Sequence, residues 1–226
     1  MRNKVVDKTW AISQIPDGAT IMCGGFGLSG APLELIDELY RQGQKNLVII
    51  SNNIGEPGVG LGRLLENGQI RKVIGSYFTS NRTVGEFYLA GKLEVELIPQ
   101  GSFAEAIRAG GAGIGGFYTK ASAGTLLSKD KETKIIDGEL YVLQYPLKAD
   151  FALICAHKAD RYGNLVYYKT ARNFNPVMAT AAKTVIVEVD EIVEPGDLDP
   201  ENIVTPHLYV DYIVKREVPR WKTQKS

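Results

Sequence analysis

The stretch Thr20-Ile21-Met22-Cys23-Gly24-Gly25-Phe26-Gly27-Leu28-Ser29-Gly30-Ala31-Pro32-Leu33-Glu34-Leu35-Ile36 packs a strand, a glycine loop and the start of a helix into seventeen residues. Residues 20–23 are short, apolar and closed by glycine, the mark of a buried strand. Over 32–40, Leu33, Ile36, Leu39 and Tyr40 share one face while Glu34, Asp37 and Glu38 share the other, and proline with acids opens the first turn. A buried strand that turns directly into an amphipathic helix is the first half of a βαβ unit. The expected fold class is therefore α/β, with a single open, mostly parallel sheet and helices on both faces.

The same rhythm continues outward. Strands are expected at 47–50, 71–74 and 95–98, with helices at 61–66 and 83–90 stopped by Gly68 and Gly91. Ser102 caps a helix to residue 109, and Gly110-Gly111-Ala112-Gly113-Ile114-Gly115-Gly116 then places five glycines in seven residues, which reads as a loop. A polar stretch over 129–134 leads into a hairpin turning at Asp137-Gly138. Residues 151–155, 165–168 and 185–189 are expected as the last strands and 176–182 as a short helix. From about residue 216 the tail reads as polar and frayed. No repeat or linker divides the chain, so 1–226 is expected as one domain, long enough to bury a sizeable core.

Charge narrows the function. The 26 Lys+Arg balance 26 Asp+Glu, which leaves neither the basic excess nor the basic stripe of a nucleic-acid or anionic-membrane binder. Met1-Arg2-Asn3-Lys4 is not followed by the apolar run of a signal peptide, and no apolar stretch approaches the length of a bilayer span. Cys23 and Cys155 lie in apolar runs and read as reduced core thiols of a cytoplasmic protein.

Gly25-Phe26-Gly27-Leu28-Ser29-Gly30 fits G-x-G-x-x-G between a strand and a helix, where exposed N–H groups and the helix dipole favour an anion such as a phosphate. A dinucleotide site also wants an acid at the end of the second strand for the ribose hydroxyls, and Ser51-Asn52-Asn53 stand there instead. Gly111-Ala112-Gly113-Ile114-Gly115-Gly116 repeats the pattern after a helix. It is either a connector or a loop that lets a bulky ligand pass close to the main chain. There is no G-x-S-x-G nucleophile elbow, and Gly91-Lys92-Leu93 breaks the Walker pattern. His157 and His207 have no acid or cysteine cluster at metal-ligand spacing, so no metal is expected. The residues offer ligand-shaped loops without a catalytic machine.

Taken from Asp17 to Pro32, Asp-Gly-Ala-Thr-Ile-Met-Cys-Gly-Gly-Phe-Gly-Leu-Ser-Gly-Ala-Pro resembles the signature of the A subunits of family I coenzyme A transferases. That family includes succinyl-CoA:3-ketoacid, acetate/acetoacetate and 3-oxoadipate CoA transferases. Further segments resemble the family in its order: Ser51-Asn52-Asn53, Pro99-Gln100-Gly101, Ile107-Arg108-Ala109-Gly110-Gly111-Ala112-Gly113, Ala171-Arg172-Asn173-Phe174-Asn175-Pro176, the run Val187-Glu188-Val189-Asp190-Glu191-Ile192-Val193-Glu194-Pro195-Gly196, and Ile203-Val204-Thr205-Pro206. The resemblance spans residues 3–215.

The resemblance implies a ping-pong enzyme that moves CoA between short carboxylic acids, such as succinate or acetate and acetoacetate, through a glutamyl-CoA thioester. CoA is then a substrate, and no cofactor stays bound. The glutamate belongs to the B subunit, in a Ser-Glu-Asn-Gly motif. Glu66-Asn67-Gly68 here follows Leu65 in place of serine and reads as a helix end. The implied site residues are Gln100 as an oxyanion donor, Asn52 or Asn53 orienting the glutamate, and Gly24, Gly25, Phe26, Gly27, Leu28, Ser29 and Gly30 at CoA. The loop bearing Gly111, Gly113, Gly115 and Gly116 would line the acyl pocket or the interface. Activity is expected only with the B subunit, in an A2B2 heterotetramer.

Two departures bear on the choice of acid. Thr119-Lys120-Ala121-Ser122-Ala123-Gly124-Thr125 replaces a common Thr-Pro-Thr-Gly, and His207 stands where glycine is common. The rival readings on the same fold are a sugar-phosphate isomerase, which wants Asp, Glu and Lys around a phosphate loop, and a ligand sensor with an attached DNA-binding module. Neither set of features is visible in the sequence.

Overall fold

A computed structural model describes residues 2–218. The chain opens with α1 (Lys8–Ser13), whose first turn is capped by Asp7 Oδ1 accepting from the Trp10 N–H at 3.0 Å. It continues through β1 (Thr20–Cys23), α2 (Leu33–Gln42), β2 (Leu47–Ile50), α3 (Leu61–Glu66), β3 (Ile70–Gly75), α4 (Arg82–Leu89), β4 (Glu94–Leu97) and α5 (Gln100–Ala112). Next come β5 (Phe117–Thr119), β6 (Thr133–Ile136) and β7 (Glu139–Gln144), then β8 (Ala149–Asp160), β9 (Leu165–Val166), α6 (Asn175–Thr180), β10 (Ala182–Val193) and β11 (Tyr212–Lys215).

The main sheet runs β11-β10-β8-β1-β2-β3-β4, parallel throughout that path, with β9 antiparallel on β8. This is the open, mostly parallel α/β sheet expected. Beside it stands a second, antiparallel sheet of order β5-β7-β6, of which the sequence reading saw only the hairpin at Asp137-Gly138. The structure also adds α1, β5 and β11 to the elements expected.

Side chains of a strand alternate between faces, and here each face has its own core. Ile21, Cys23, Leu47 and Ile49 pack with Ile12 of α1, Leu35, Ile36 and Leu39 of α2, and Leu64 and Leu65 of α3. Met22, Val48 and Ile50 pack on the opposite face with Phe103 and Ile107 of α5 and Met178 of α6. The strands read as continuous apolar runs because helices cover both faces.

Two expectations are corrected. The run of glycines predicts a helix end at residue 109 and a loop over 110–116; instead α5 runs through Ala112 and stops at Gly113, whose φ of 72° is left-handed. The glycines are spacers for packing. A Cβ on Gly110 would lie 1.9 Å from the Leu147 carbonyl oxygen, and one on Gly111 would lie 2.1 Å from Thr180 Oγ1 at the end of α6. Second, the tail begins as structure. Arg216 is 7% exposed, and Glu34 of α2 accepts from the Glu217 and Val218 N–H groups at 3.1 and 3.2 Å. The remainder of the expected frayed tail lies outside the described residues.

Glycine as a spacer and glycine as a mere weak helix former make opposite predictions. Gly110→Ala should cost about 1–3 kcal/mol by overpacking, a fall of roughly 2–10 °C in thermal midpoint for a chain of this size. Gly85 in α4 has nothing within 4 Å of where a Cβ would sit, so Gly85→Ala should stabilise by up to about 1 kcal/mol. Calorimetry of the two variants checks this, and equal shifts would remove the packing explanation.

Candidate active site

The strand order reverses between β1 and β8: the chain steps from β1 to β4 on one side and later returns to place β8, β10 and β11 on the other. In an open parallel sheet the crevice at the carboxyl ends of such strands is where ligands bind. The loop after β1 stands there. Gly24, Gly25 and Gly30 are buried, while Phe26, Gly27 and Ser29 are exposed at a tip closed by reciprocal bonds, Phe26 N–H to Ser29 O at 2.9 Å and Ser29 N–H to Phe26 O at 3.2 Å.

The glycines of this loop are there because another segment sits against them. Asn173 Oδ1 accepts from the Gly25 N–H at 3.1 Å while its Nδ2 donates to Ser29 O at 2.9 Å. Asn175 is fully buried, donates Nδ2 to Gly30 O at 3.0 Å and accepts from the Cys155 N–H of β8 at 2.9 Å. A Cβ on Gly24 would fall 1.9 Å from Asn175 Oδ1, and one on Gly30 would fall 2.4 Å from Ala171 O.

The helix that follows the loop is not free to receive a ligand anion, contrary to the reading of its dipole. Glu188 of β10, buried to 0% exposure, accepts from the Glu34 and Leu35 N–H groups with Oε2 at 2.9 and 3.0 Å. Its Oε1 lies 3.1 Å from Arg216 Nη1 and 3.5 Å from Cys155 Sγ. The group that takes up the first amides of α2 is the chain's own carboxyl. Burial pushes the Glu188 carboxyl up, to about 8, against the pull of Arg216 and the two amides. Burial and the Glu188 charge also push the Cys23 thiol up to about 12, and both cysteines are free and buried.

The loop tip divides two cavities. One, of about 350 Å³, is walled by Phe26 and Gly27 and by Asn52, Asn53, Ser76, Tyr77 and Gln100, from the loops after β2 and β3 and the first residue of α5. The other, of about 520 Å³, is walled by Leu28, Ser29 and Gly30 together with His157, Tyr168 and Arg216. Here His157 Nδ1 pairs with Asp190 Oδ2 at 3.2 Å. The larger cavity is not where the candidate amides meet; the smaller one is.

Within it the amides form a relay with a defined sense. The Gly55 N–H can only donate, and Asn53 Oδ1 accepts from it at 2.8 Å. Asn53 Nδ2 therefore donates to Asn52 Oδ1 at 3.1 Å, and Asn52 Nδ2 donates to Gln100 Oε1 at 3.1 Å and to Ser76 Oγ at 2.7 Å. With Oε1 taken, Nε2 is the group that exposed Gln100 offers to the cavity. Asn52 and Asn53 are 1% and 7% exposed, so the relay is shielded and only its last amide meets solvent.

The structure thus joins Gln100, Asn52, Asn53, Phe26 and Gly27 at one cavity, puts Leu28, Ser29 and Gly30 at its neighbour, and buries Gly24 and Gly25 beneath both. It does not bring Gly111, Gly113, Gly115 and Gly116 to them. Gln100 opens α5 and these glycines end it, and thirteen residues at about 1.5 Å each separate the two by roughly 20 Å. Glu66 is exposed and accepts from the Gly58 N–H at 3.0 Å, a turn clamp. Sequence reasoning missed Ser76, the roles of Asn173 and Asn175, and Glu188. The last had a readable signal, since an acid inside Val185-Ile186-Val187-Glu188-Val189 must be paired when buried. Among the described residues no group of three or more His, Cys, Asp and Glu could hold a metal, and no helix is long and apolar enough to cross a membrane.

Comparison with known proteins shows the family. The profile of the family described as Coenzyme A transferase matches residues 7–216. The chain is 52% identical to the A subunit of the 3-oxoadipate CoA-transferase of Pseudomonas putida, over 93% of this chain and 94% of that protein. It is 49% identical to the A subunit of the succinyl-CoA:3-ketoacid coenzyme A transferase of Helicobacter pylori, over 99% and 97%. Against the alpha subunit of the acetate CoA-transferase of Escherichia coli the identity is 44%, over 95% and 97%. Among solved structures, an acyl-CoA transferase from Escherichia coli O157:H7 superposes with a TM-score of 0.85 at 21% identity, over 95% of this chain but 47% of that one. The chain spans about half the length of that protein.

The position of Glu188 makes stability depend on pH with a stated sign. A carboxyl held at about 8 when folded, against an ordinary 4.5, keeps a proton that the unfolded chain releases. Its contribution is complete below about pH 4.5 and declines as pH rises through about 8. Glu188→Gln has no such decline. Urea midpoints of wild type and variant, measured from pH 5 to pH 9, should shift steadily in the variant's favour.

Proposed function

The chain belongs to the coenzyme A transferase family, and from that premise we propose that it is the A subunit of an enzyme that moves CoA between acetyl-CoA or succinyl-CoA and a 3-oxo acid such as acetoacetate. The observation that carries the reading is the amide relay ending at Gln100, whose Nε2 is left for a reacting oxygen.

The chemistry asks for such a donor. A carboxylate attacks the thioester carbonyl of acyl-CoA, which becomes a tetrahedral oxyanion before the CoA thiolate leaves and an acyl anhydride remains. The thiolate then attacks the carboxyl that made the first attack, releases the acyl group as a free acid, and leaves a thioester on the enzyme. A second acid returns through the same steps. Each step passes charge to one oxygen, and an amide N–H held by packed neighbours stabilises it without reorganising. Asn53 and Asn52 supply that hold, with Asn52 the one in contact with Gln100.

The attacking glutamate is assigned to a B subunit, in keeping with relatives that are named as A or alpha subunits. Glu66 is bound into a turn and does not serve. The exposed tip at Phe26, Gly27, Leu28 and Ser29 contacts CoA in this reading, over a base made by Gly24, Gly25 and Gly30. Gly113, Gly115 and Gly116 then lie at an interface, away from the acyl pocket. The working assembly is an A2B2 heterotetramer in the cytoplasm, without a permanently bound cofactor.

Co-expression with the B subunit tests this. The purified chain alone should not exchange CoA between acetoacetate and acetyl-CoA or succinyl-CoA, whereas the assembly should. In the assembly, Gln100→Ala should lower kcat on the order of a hundredfold, with a smaller change in KM. An unchanged kcat removes Gln100 from the oxyanion role, and activity of the chain alone overturns the subunit reading.

A further inference from the structure

The smaller cavity has one charged wall residue. Phe26 and Tyr77 present aromatic faces, Asn52, Ser76, Ser80 and Gln100 are neutral and polar, and among the described residues lining it Glu56 alone carries charge.

Glu56 is also rooted. The preceding Gly55 N–H is the one that starts the amide relay at Asn53. The Val59 N–H donates to the Glu56 carbonyl at 3.1 Å, and Pro57 fixes its own φ within the turn. Gly58 is tied to Glu66 at 3.0 Å. Gly62 brings α3 so close that a Cβ on it would lie 2.0 Å from the Glu56 carbonyl oxygen. The backbone of Glu56 is therefore held by its own turn and by α3, next to the Gly55 N–H that starts the relay to Gln100, and only its side-chain torsions are free.

Resting on the transferase reading of this cavity, we infer that Glu56 selects the acid. An acid whose reacting carboxyl lies at Gln100 extends its tail past Phe26 and Tyr77 within reach of the Glu56 carboxylate. A hydrocarbon or keto tail meets aromatic surface there. A tail ending in a second carboxylate meets a like charge, and two unit charges about 6 Å apart near a protein surface, screened by physiological salt, repel enough for roughly a tenfold discrimination. The substrates favoured are monocarboxylic short-chain acids, with dicarboxylic acids disfavoured, so that of the two donors proposed above acetyl-CoA is preferred to succinyl-CoA.

The test uses the assembled two-subunit enzyme with acetyl-CoA as donor and two acceptors of equal chain length, butyrate and succinate. The wild type should show a higher kcat/KM for butyrate. Glu56→Gln should shrink the butyrate-to-succinate ratio roughly tenfold, Glu56→Lys should shrink it further, and raising the ionic strength should shrink it in the wild type but not in Glu56→Gln. A wild-type preference for succinate, or a ratio unmoved in an active Glu56→Gln enzyme, overturns the inference and leaves the transferase reading intact. Absence of CoA transfer to either acid, in an assembly that does exchange CoA with acetoacetate, overturns this inference alone; absence of the acetoacetate exchange overturns that reading, and this inference with it.

Discussion

Two asparagine side chains hold the loop on which everything at the switch point depends. Asn173 and Asn175 donate to Ser29 O and Gly30 O and accept from the N–H groups of Gly25 and Cys155, so one short segment ties the end of β1 to the edge of β8. The approach leaves no room for side chains at Gly24 or Gly30. Glycine here is required by a neighbour's position first. Any closeness of the main chain to a ligand is a consequence, because only the exposed tip beyond the clamp is free to meet one.

Glu188 does at the next turn what the asparagines do at the loop. Its carboxyl group occupies the N-terminus of α2, and through Arg216 it brings the end of β11 onto the same helix. A helix start is an anion site whatever fills it. In this chain it is filled from within, so the dipole serves to fix α2 and leaves ligand recognition to side chains and to the loop tip. The cost is a carboxyl carried into a site without water, which raises its proton affinity.

The amide relay shows how a flexible side chain is given a direction. Asn and Gln amides have two chemically different ends, and a single backbone N–H, that of Gly55, decides the sense of all three in series. Burial of Asn52 and Asn53 keeps water from competing at the inner links. Gln100, exposed and first in α5, is then a surface residue with an interior's order. A donor held in this way need not be ordered each time an acceptor arrives, whereas a loosely held one would be.

The sequence by itself determined what is local. Strands β1 and β2 and helix α3 lie where periodicity and glycine stops place them, at Thr20–Cys23, Leu47–Ile50 and Leu61–Glu66, because apolar spacing within a few residues suffices to specify a buried strand or an amphipathic turn. The Asp137-Gly138 hairpin was legible for the same reason, and Gln100 with Asn52 or Asn53 through resemblance alone. The tertiary structure decided the rest. Helix α5 carries glycine at 110 and 111 because Leu147 and Thr180 leave no room for a Cβ, and Glu188 binds a helix 154 residues away in sequence. Which amide faces the cavity follows from a backbone N–H in another loop. These are relations between segments remote in the chain, and no pattern within one segment carries them.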